Sequence, residues 1–290
     1  MAETSPPAQD AALELMKNFS LEMTGKDVPG LQEAAPLIPQ GTKINVTFLG
    51  NEDLEMRVAA AKAVKELGFT PVPHISARRL HGQDQLEEFL ERLQEVGATE
   101  HVFSVGGDPA EPHGPYPDSL SLIQTGILQK YGVREVSIAG YPEGHPDIAD
   151  DVLWQHLQDK SVALKEQELD GVILTQFAFD SDAVETWINR VRERDIPTQI
   201  RIGTPGPAGI RRLLAFARRF GIGANAMIVK KYGFSLTNLL GTAGPDQFVT
   251  DLGLRAQEDA NLGEVALHFY TFGGLPSTAK WIDEFIQAKS

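Results

Sequence analysis

The sequence predicts an α/β protein whose parallel strands close into a (β/α)₈ TIM barrel. Eight short apolar runs each end in a cluster of polar or glycine residues, as buried parallel strands do. Segments with helical spacing of apolar residues separate these runs. The length of 290 residues, with no linker or internal repeat, favours one large domain. We therefore predict a barrel over 18–290, preceded by an N-terminal tail over 1–17.

The expected elements alternate along the chain. Glycines just after two apolar patterns, Gly68 and Gly97, are typical helix stops. The segment 204–264 is too long for a single crossover, so extra helices are expected between strands seven and eight, near 225–240 and 245–261. Strands are predicted near 18–23, 44–49, 70–75, 101–105, 135–140, 171–176, 198–203 and 265–269, and the other helices near 53–67, 83–96, 117–131, 149–165, 181–193, 208–221 and 275–288.

Composition narrows the class of protein. The formal charge of −14 repels a polyanion, so nucleic-acid binding is not expected. No segment approaches the roughly 20 apolar residues of a membrane helix, and Met1–Asp10 lacks the features of a secretory signal. The absence of cysteine excludes disulfides and thiolate chemistry and is compatible with a cytoplasmic protein. The oligomeric state, including a homo-oligomer, is left open.

In a barrel of this class, functional side chains come from the carboxyl ends of the strands and the loops that follow. Glu22 interrupts an apolar run at the end of the first strand. Apolar surroundings raise the pKa of a carboxyl group, as a general acid near neutral pH requires, although a solvated glutamate is the alternative. The strand-end set is Glu22, Thr47, His74, Asp108, Tyr141, Glu143, His145, Gln176 and the loop 203–209.

Glycine-rich turns and histidines allow further interpretations. Gly106-Gly107-Asp108 would let a ligand ring lie close to the backbone, or it is only a turn. The loop 203–209 opens a helix and is either a site for an anionic group or a stiff turn. The arginines at 211, 212, 218 and 219 form a basic stripe, which is either a solvated helix face or a surface that attracts an anionic substrate tail. The histidines lack the spacing of metal ligands, so no metal site is predicted.

Several of these segments resemble the methylenetetrahydrofolate reductase family, over about residues 18–285. The order and approximate spacing match, and the Tyr-Pro-Glu-x-His-Pro and Thr-Gln-Phe-x-Phe-Asp patterns are the most specific parts. The matching segments are Ser20-Leu-Glu22, Pro73-His74, Gly107-Asp108, Gly140-Tyr-Pro-Glu-Gly-His-Pro146, Leu174-Thr-Gln-Phe-Ala-Phe-Asp180 and Leu267-His-Phe-Tyr-Thr271.

The resemblance implies a (β/α)₈ barrel that reduces methylenetetrahydrofolate to methyltetrahydrofolate with hydride from NAD(P)H. It implies that Glu22 is the general acid that opens the five-membered folate ring, with Asp108 beside the reacting rings. It also implies that Glu22 and Gln176 face a common cavity. The implied folate contacts are Gln176, Phe177, Phe179 and Tyr270, and the implied cofactor contacts are Thr47, His74, Gly106, Gly107, Asp108, Gly140, Tyr141, His145 and Lys165.

Two departures from the family pattern concern the cofactor. Gly106 stands where an arginine is common, and the usual basic cluster before strand six is reduced to Lys165. Both changes remove positive charge from the place where a flavin diphosphate would lie. Two routes therefore stay open: hydride passes through FAD, or NAD(P)H donates it to the folate directly. Alternative functions are a tetrahydrofolate-dependent methyltransferase and a pterin-binding barrel without reductase activity.

Overall fold

A computed structural model describes residues 6–219 and 242–289 of the chain. Eight parallel strands close a barrel with helices around it, and a two-residue pair, β8 Ala208–Gly209 with β9 Thr242–Ala243, lies outside it. The predicted fold class and all eight predicted strands are confirmed. The barrel strands are β1 Ser20–Met23, β2 Lys43–Val46, β3 Thr70–Ser76, β4 His101–Val105, β5 Glu135–Gly140, β6 Asp170–Phe177, β7 Gln199–Pro205 and β10 Val265–Tyr270.

Helices follow most strands, and six of the predicted ones are present with boundaries shifted by a few residues. The extra helix predicted near 245–261 is also confirmed, and the one predicted near 225–240 lies outside the described residues. The helices are α1 Pro6–Met16, α2 Val28–Ala34, α3 Leu54–Glu66, α4 Gln83–Glu95, α5 Ser119–Ile123, α6 Asp150–Glu166, α7 Ser181–Arg192, α8 Ile210–Arg219, α9 Asp246–Glu258 and α10 Leu275–Lys289.

Local sequence signals explain where several helices begin and end. Asp53 caps α3 by accepting a hydrogen bond from the Met56 backbone N–H at 2.8 Å, and Asp180 caps α7 in the same way. Gly68 follows α3 with φ of +85°, a conformation that glycine adopts without strain. These side-chain caps and the glycine stop set the helix ends independently of packing.

The prediction of one helix over 117–131 is wrong. The segment instead forms α5 and, after it, a short 3₁₀ helix over Leu128–Tyr131. Gly126 separates them with φ of +68°, and the Thr125 hydroxyl donates to the Leu122 carbonyl at 2.8 Å. The glycine and the hydroxyl satisfy the backbone in a turn, so the apolar spacing does not continue as a helix.

The segment predicted as an N-terminal tail over 1–17 is helical in its described residues, from Pro6 onward. They form α1, and Ala12, Leu15 and Met16 are 0%, 5% and 1% exposed. Helix α1 crosses α9 so closely that a Cβ on Gly253 would lie 2.8 Å from the Ala11 carbonyl oxygen. An apolar face at helical spacing, matched by a glycine on the facing helix, docks this segment.

The chain divides into two compact units. Among the described residues, the first unit comprises those within 1–19, 140–154 and 174–290, and the second comprises 20–139 and 155–173. The prediction of a single domain stays a prediction. Among the described residues, no helix has both the length and the apolar character needed to cross a membrane.

Within the second unit, the register of the parallel strands determines which residues of neighbouring strands lie opposite each other. Glu22 of β1 lies opposite Asn45 of β2, and His74 of β3 lies opposite Phe103 of β4. The pairing is parallel, so the carboxyl ends of β1 to β4 lie at the same edge of the sheet. The strand-end residues of this unit are therefore brought to one edge although the sequence separates them widely.

An ion pair lies at the opposite edge of the second unit, where the strands begin. Lys43 Nζ lies 2.6 and 2.7 Å from the two carboxylate oxygens of Glu135, and His101 Nδ1 lies 3.2 Å from Oε1. Burial raises the pKa of Glu135, but His101 and Lys43 outweigh this effect and lower the pKa to about 2. The first residues of β2, β4 and β5 are thereby held together.

Replacing this carboxylate, Glu135→Gln, is expected to destabilise the protein by about 3 kcal/mol at neutral pH, because Lys43 keeps its charge and loses its partner. A depressed pKa stabilises the fold above the unfolded value of 4.5, and the effect is lost as the pH falls toward 2. Urea unfolding of the variant and the wild type should therefore differ most near neutral pH and converge in acid. The exposed Glu100→Gln variant is the control, and a difference that does not depend on pH would contradict this assignment.

Candidate active site

The candidate site in the second unit centres on Glu22 and His74. The Glu22 side chain is 18% exposed at the end of β1, and its Oε2 lies 3.8 Å from His74 Nε2. His74 is buried, with its ring edge-on to Phe103 at a centroid distance of 4.7 Å. The sequence predicted a strand-end carboxyl with apolar neighbours, and the structure adds a buried imidazole at its side. Such a pair can hold a proton next to a ligand that excludes water.

Two hydroxyl groups lie at the carboxyl ends of β2 and β3. Thr47 Oγ1 and Ser76 Oγ are buried, and neither has a hydrogen-bond partner within the described part of the chain. Buried polar atoms are normally satisfied, so a ligand atom or a water is expected at each. A Cβ on Gly107, whose φ is +99°, would lie 2.1 Å from Ser76 Oγ. Only glycine allows the chain after β4 to approach this hydroxyl so closely.

The structure gives Asp108 a partner that the sequence analysis missed. Asp108 is exposed, and its Oδ1 lies 2.6 Å from Arg79 Nη2 and 2.8 Å from Arg79 Nε. The neighbouring Arg78 donates to three backbone carbonyls, those of Pro109, Ala110 and Pro117, and so shapes the loop after β4. Two successive arginines directly after a predicted strand end were the available signal. Arg79 places a cation at this edge, although position 106 is glycine.

Lys165 does not join these residues. It is exposed in the last turn of α6, just before β6 begins at Asp170. The Asp170 N–H donates to the carbonyl of Arg134, which directly precedes β5. Lys165 therefore lies at the amino ends of the strands, whereas Thr47, His74 and Asp108 lie at the carboxyl ends. The resemblance implies that Lys165 contacts the cofactor, but its amine lies away from the other implied cofactor residues. A helix that leads into a strand ends at the edge where the strands begin, and those residues lie at the edge where the strands end.

In the first unit, Gly140 ends β5 and leads into the loop that contains Tyr141 and His145. The two rings meet edge-on at a centroid distance of 5.4 Å. Burial raises the pKa of the half-buried Tyr141, so the phenol stays protonated at neutral pH and can donate a hydrogen bond. Glu143 Oε1 accepts from the Phe179 N–H at 3.1 Å, which ties this loop to the segment after β6.

The residues after β6 form an aromatic cluster with the end of β10. Phe177 and Phe179 are 1% and 2% exposed, and their rings meet edge-on at 5.7 Å. Gln176 is half-buried, and its Oε1 accepts from the Phe177 N–H at 3.1 Å. Half-buried Tyr270 contacts Phe177 at 5.6 Å and donates from its hydroxyl to the Thr175 carbonyl at 3.0 Å. Phe272 and Phe216, which the sequence analysis did not select, stack at 3.9 Å and complete the cluster.

The loop over 203–209 is occupied by internal contacts. The Gly203 N–H donates to Thr175 Oγ1 at 2.8 Å, and the Gly206 N–H donates to the Tyr270 carbonyl at 2.8 Å. A Cβ on Gly206 would lie 2.4 Å from Thr278 Oγ1. These two N–H groups and the glycine at 206 thus serve packing, which favours the stiff turn over an anion site. The arginines of the basic stripe are exposed.

The predicted site residues are divided between the two units, and Lys165 lies apart from the others of the second unit. Within the described residues, no cluster of three or more His, Asp or Glu side chains is arranged to hold a metal ion. That Glu22 and Gln176 face one cavity stays a prediction. The second unit holds Glu22, Thr47, His74, Gly106, Gly107 and Asp108, and the first holds Gly140, Tyr141, His145, Gln176, Phe177, Phe179 and Tyr270.

Comparison with known proteins gives the family. The model of the methylenetetrahydrofolate reductase family matches residues 22–219, which is more than half of the chain, and this chain belongs to that family. It is 28% identical over 163 residues to 5,10-methylenetetrahydrofolate reductase of Pectobacterium carotovorum subsp. carotovorum, covering 55% of this chain and 50% of that protein. It is also 28% identical over 153 residues to methylenetetrahydrofolate reductase (NADH) 1 of Arabidopsis thaliana, covering 48% and 25%. The matches thus span half or less of these curated relatives.

Solved structures give only a remote likeness. A dihydropteroate synthase (FolP) from Thermus thermophilus is 14% identical with a TM-score of 0.49, covering 93% of this chain and 94% of that chain. A putative lyase/mutase from Burkholderia cenocepacia J2315 is 12% identical with a TM-score of 0.48, covering 96% and 85%. At these scores the likeness carries no argument about function.

Removing one hydroxyl of the aromatic cluster, Tyr270→Phe, is expected to lower the free energy of unfolding by about 1 kcal/mol. The substitution removes the bond to the Thr175 carbonyl while leaving the ring contacts in place. Urea unfolding monitored by tryptophan fluorescence measures the change. An unfolding midpoint equal to that of the wild type would contradict a stabilising role for this hydrogen bond.

Proposed function

We propose that this protein is a methylenetetrahydrofolate reductase, which reduces methylenetetrahydrofolate to methyltetrahydrofolate with hydride from NAD(P)H. The observation that carries the proposal is the Glu22–His74 pair within a chain that the family model matches from residue 22 onward. A partly buried carboxyl group beside a buried imidazole is suited to deliver a proton where water is scarce. The activity, the hydride donor and the folate contacts are all part of this proposal.

In the proposed reaction, Glu22 donates a proton to the aniline nitrogen of the folate. The carbon–nitrogen bond to that nitrogen breaks, the five-membered ring opens, and a folate iminium ion forms. Hydride then adds to the iminium carbon and gives the methyl group. His74 Nε2 lies 3.8 Å from Glu22 Oε2, so the imidazole borders the proposed acid. The resemblance assigns Asp108 a place beside the reacting rings.

The folate pterin is proposed to contact Gln176 and the adjacent aromatic residues. The Gln176 amide NH₂ can donate to a ligand because the carbonyl oxygen of the same amide already accepts from the Phe177 N–H. The Phe177 and Phe179 rings are buried, so their proposed role is to hold the backbone of this segment rather than to offer an open surface. Tyr270 is half-buried, so part of its side chain is accessible.

In the second unit, two buried hydroxyl groups without hydrogen-bond partners among the described residues are suited to bind polar atoms of a flavin. Thr47 Oγ1 and Ser76 Oγ lack partners among the residues described here, and Arg79 supplies a cation on the same edge. The proposed contacts in the first unit are Gly140, Tyr141 and His145. When bound, the flavin would supply the hydride; otherwise NAD(P)H would donate it directly. Lys165 is not proposed as a contact, because it lies at the amino ends of the strands.

Replacing the proposed acid, Glu22→Gln, is expected to lower folate reduction by at least about a thousandfold, because an amide cannot donate the proton that opens the ring. Turnover of methylenetetrahydrofolate is measured with NADH or NADPH. The exposed Glu33→Gln variant is the control and should keep wild-type turnover. Unchanged folate turnover in Glu22→Gln would refute the assigned role.

The purified protein is expected to consume NADH or NADPH only when methylenetetrahydrofolate is present. NADH is tested first, because the name of the Arabidopsis thaliana relative specifies it. Absorbance of the nicotinamide is followed with and without added FAD, after the visible spectrum of the protein has been recorded. Consumption without any flavin would indicate direct hydride transfer. A complete lack of consumption would overturn the reductase proposal and favour the methyltransferase or pterin-binding alternative.

A further inference from the structure

A buried glutamate that the reaction does not use lies in the loop between β2 and α3. Glu52 is 5% exposed, and its Oε1 accepts a hydrogen bond from the Gly25 N–H at 2.9 Å. Its Oε2 is also buried and has no hydrogen-bond partner in the part of the chain that the structure describes. A carboxyl group is costly to bury, so its hydrogen bond to another loop suggests a specific role.

The loop that Glu52 contacts begins directly after Glu22. Gly25 lies three residues beyond Glu22, in the segment between β1 and α2. Its backbone is pressed against the neighbouring loop and helix: a Cβ at position 25 would lie 2.8 Å from Met56 Cγ and 3.2 Å from Glu52 Cδ. Within the segment, Asp27 Oδ2 accepts from both the N–H and the hydroxyl of Thr24 at 2.8 Å. Asp27 therefore shapes the segment internally, and Glu52 ties it to α3.

Glu52 is itself held rigidly by Arg57 of α3. Arg57 is 7% exposed, and its Nη1 donates to the Glu52 carbonyl at 2.7 Å. The guanidinium lies over the Phe48 ring at 3.7 Å, and Phe48 in turn packs edge-on against Phe89 of α4. The acceptor for Gly25 is thus anchored through α3 and α4, elements that do not contribute to the proposed reaction.

The charges around Glu52 are compatible with this role. Burial raises the pKa of Glu52, while the Gly25 N–H, Arg57, Lys26 and the Leu49 N–H act in the opposite direction. A carboxyl group accepts the Gly25 hydrogen bond in either protonation state. A glutamine of the same shape would accept it as well, which gives a conservative variant that keeps the contact.

We propose that Glu52 is a positioning residue that holds the segment after β1 through Gly25 and so sets the orientation of Glu22. The proposal rests on the proposed function, because the orientation matters for activity only if Glu22 is the acid. Its structural half, the hold on Gly25, is independent of any reaction. The experiment below therefore measures the two separately.

The test compares Glu52→Ala with Glu52→Gln, with the exposed Glu66→Ala on α3 as the matched control. Glu52→Ala is expected to lower kcat for folate reduction about tenfold and to speed exchange of the Gly25 amide hydrogen about tenfold, since one hydrogen bond is lost. Glu52→Gln is expected to restore both to near the wild-type level. Amide exchange is followed by NMR or mass spectrometry in proteins whose far-ultraviolet circular dichroism matches the wild type.

Each outcome decides a separate point. Unchanged Gly25 exchange in a folded Glu52→Ala protein would overturn the proposal, whether or not the protein is a reductase. Faster exchange with unchanged kcat would overturn the link to Glu22. An equal loss of kcat in Glu52→Gln and Glu52→Ala would show that the carboxyl group, rather than the contact, matters, and would also overturn it. A wild type without reductase activity would refute the proposed function, while the exchange measurement would still decide the hold on Gly25.

Discussion

Parallel pairing of the strands is the constraint on which the candidate site depends. In the second unit, β1, β2, β3 and β4 pair in parallel, so all four strands run in one direction and end at one edge. Each return path must then cross outside the sheet, which the intervening helices do. Glu22, Thr47 and His74 therefore lie at one edge although 25 or more residues separate each from the next. The amino ends, by contrast, carry the Lys43–Glu135 ion pair, which serves the fold.

The chain is strongly acidic, and several of its arginines are used to fix loops. Arg78 donates to three carbonyls of the loop after β4, and Arg192 donates to the carbonyls of Leu262, Ile196 and Thr198. Arg57 does the same for the loop after β2. A guanidinium has five N–H donors in a rigid plane, so a single side chain can satisfy several backbone acceptors. The loops after β2 and β4, which carry Thr47 and Asp108, are thereby held in place.

Much of the fold could be predicted from the sequence, because the signals involved are local. Apolar runs with polar ends located all eight strands, and the glycines that follow two apolar patterns, Gly68 and Gly97, located helix ends. The prediction failed where local signals conflict. Between 117 and 131, apolar spacing favoured a helix, but Gly126 with positive φ prevented it. In the N-terminal segment, the apolar residues of α1 form a buried face, and Gly253 lets α9 pack closely against it.

For the candidate site, the sequence by itself determined which side chains stand at strand ends, since the alternation of apolar runs and polar clusters is written in the local order of residues. Only the tertiary structure decided which partners those side chains have. Glu22 and His74 come from different strands, and the ion pair of Asp108 with Arg79 and the contact of Glu52 with Gly25 join different loops. It also decided that Lys165 lies at the amino ends of the strands. Contacts between distant residues depend on strand register and loop path, and no local pattern encodes either of them.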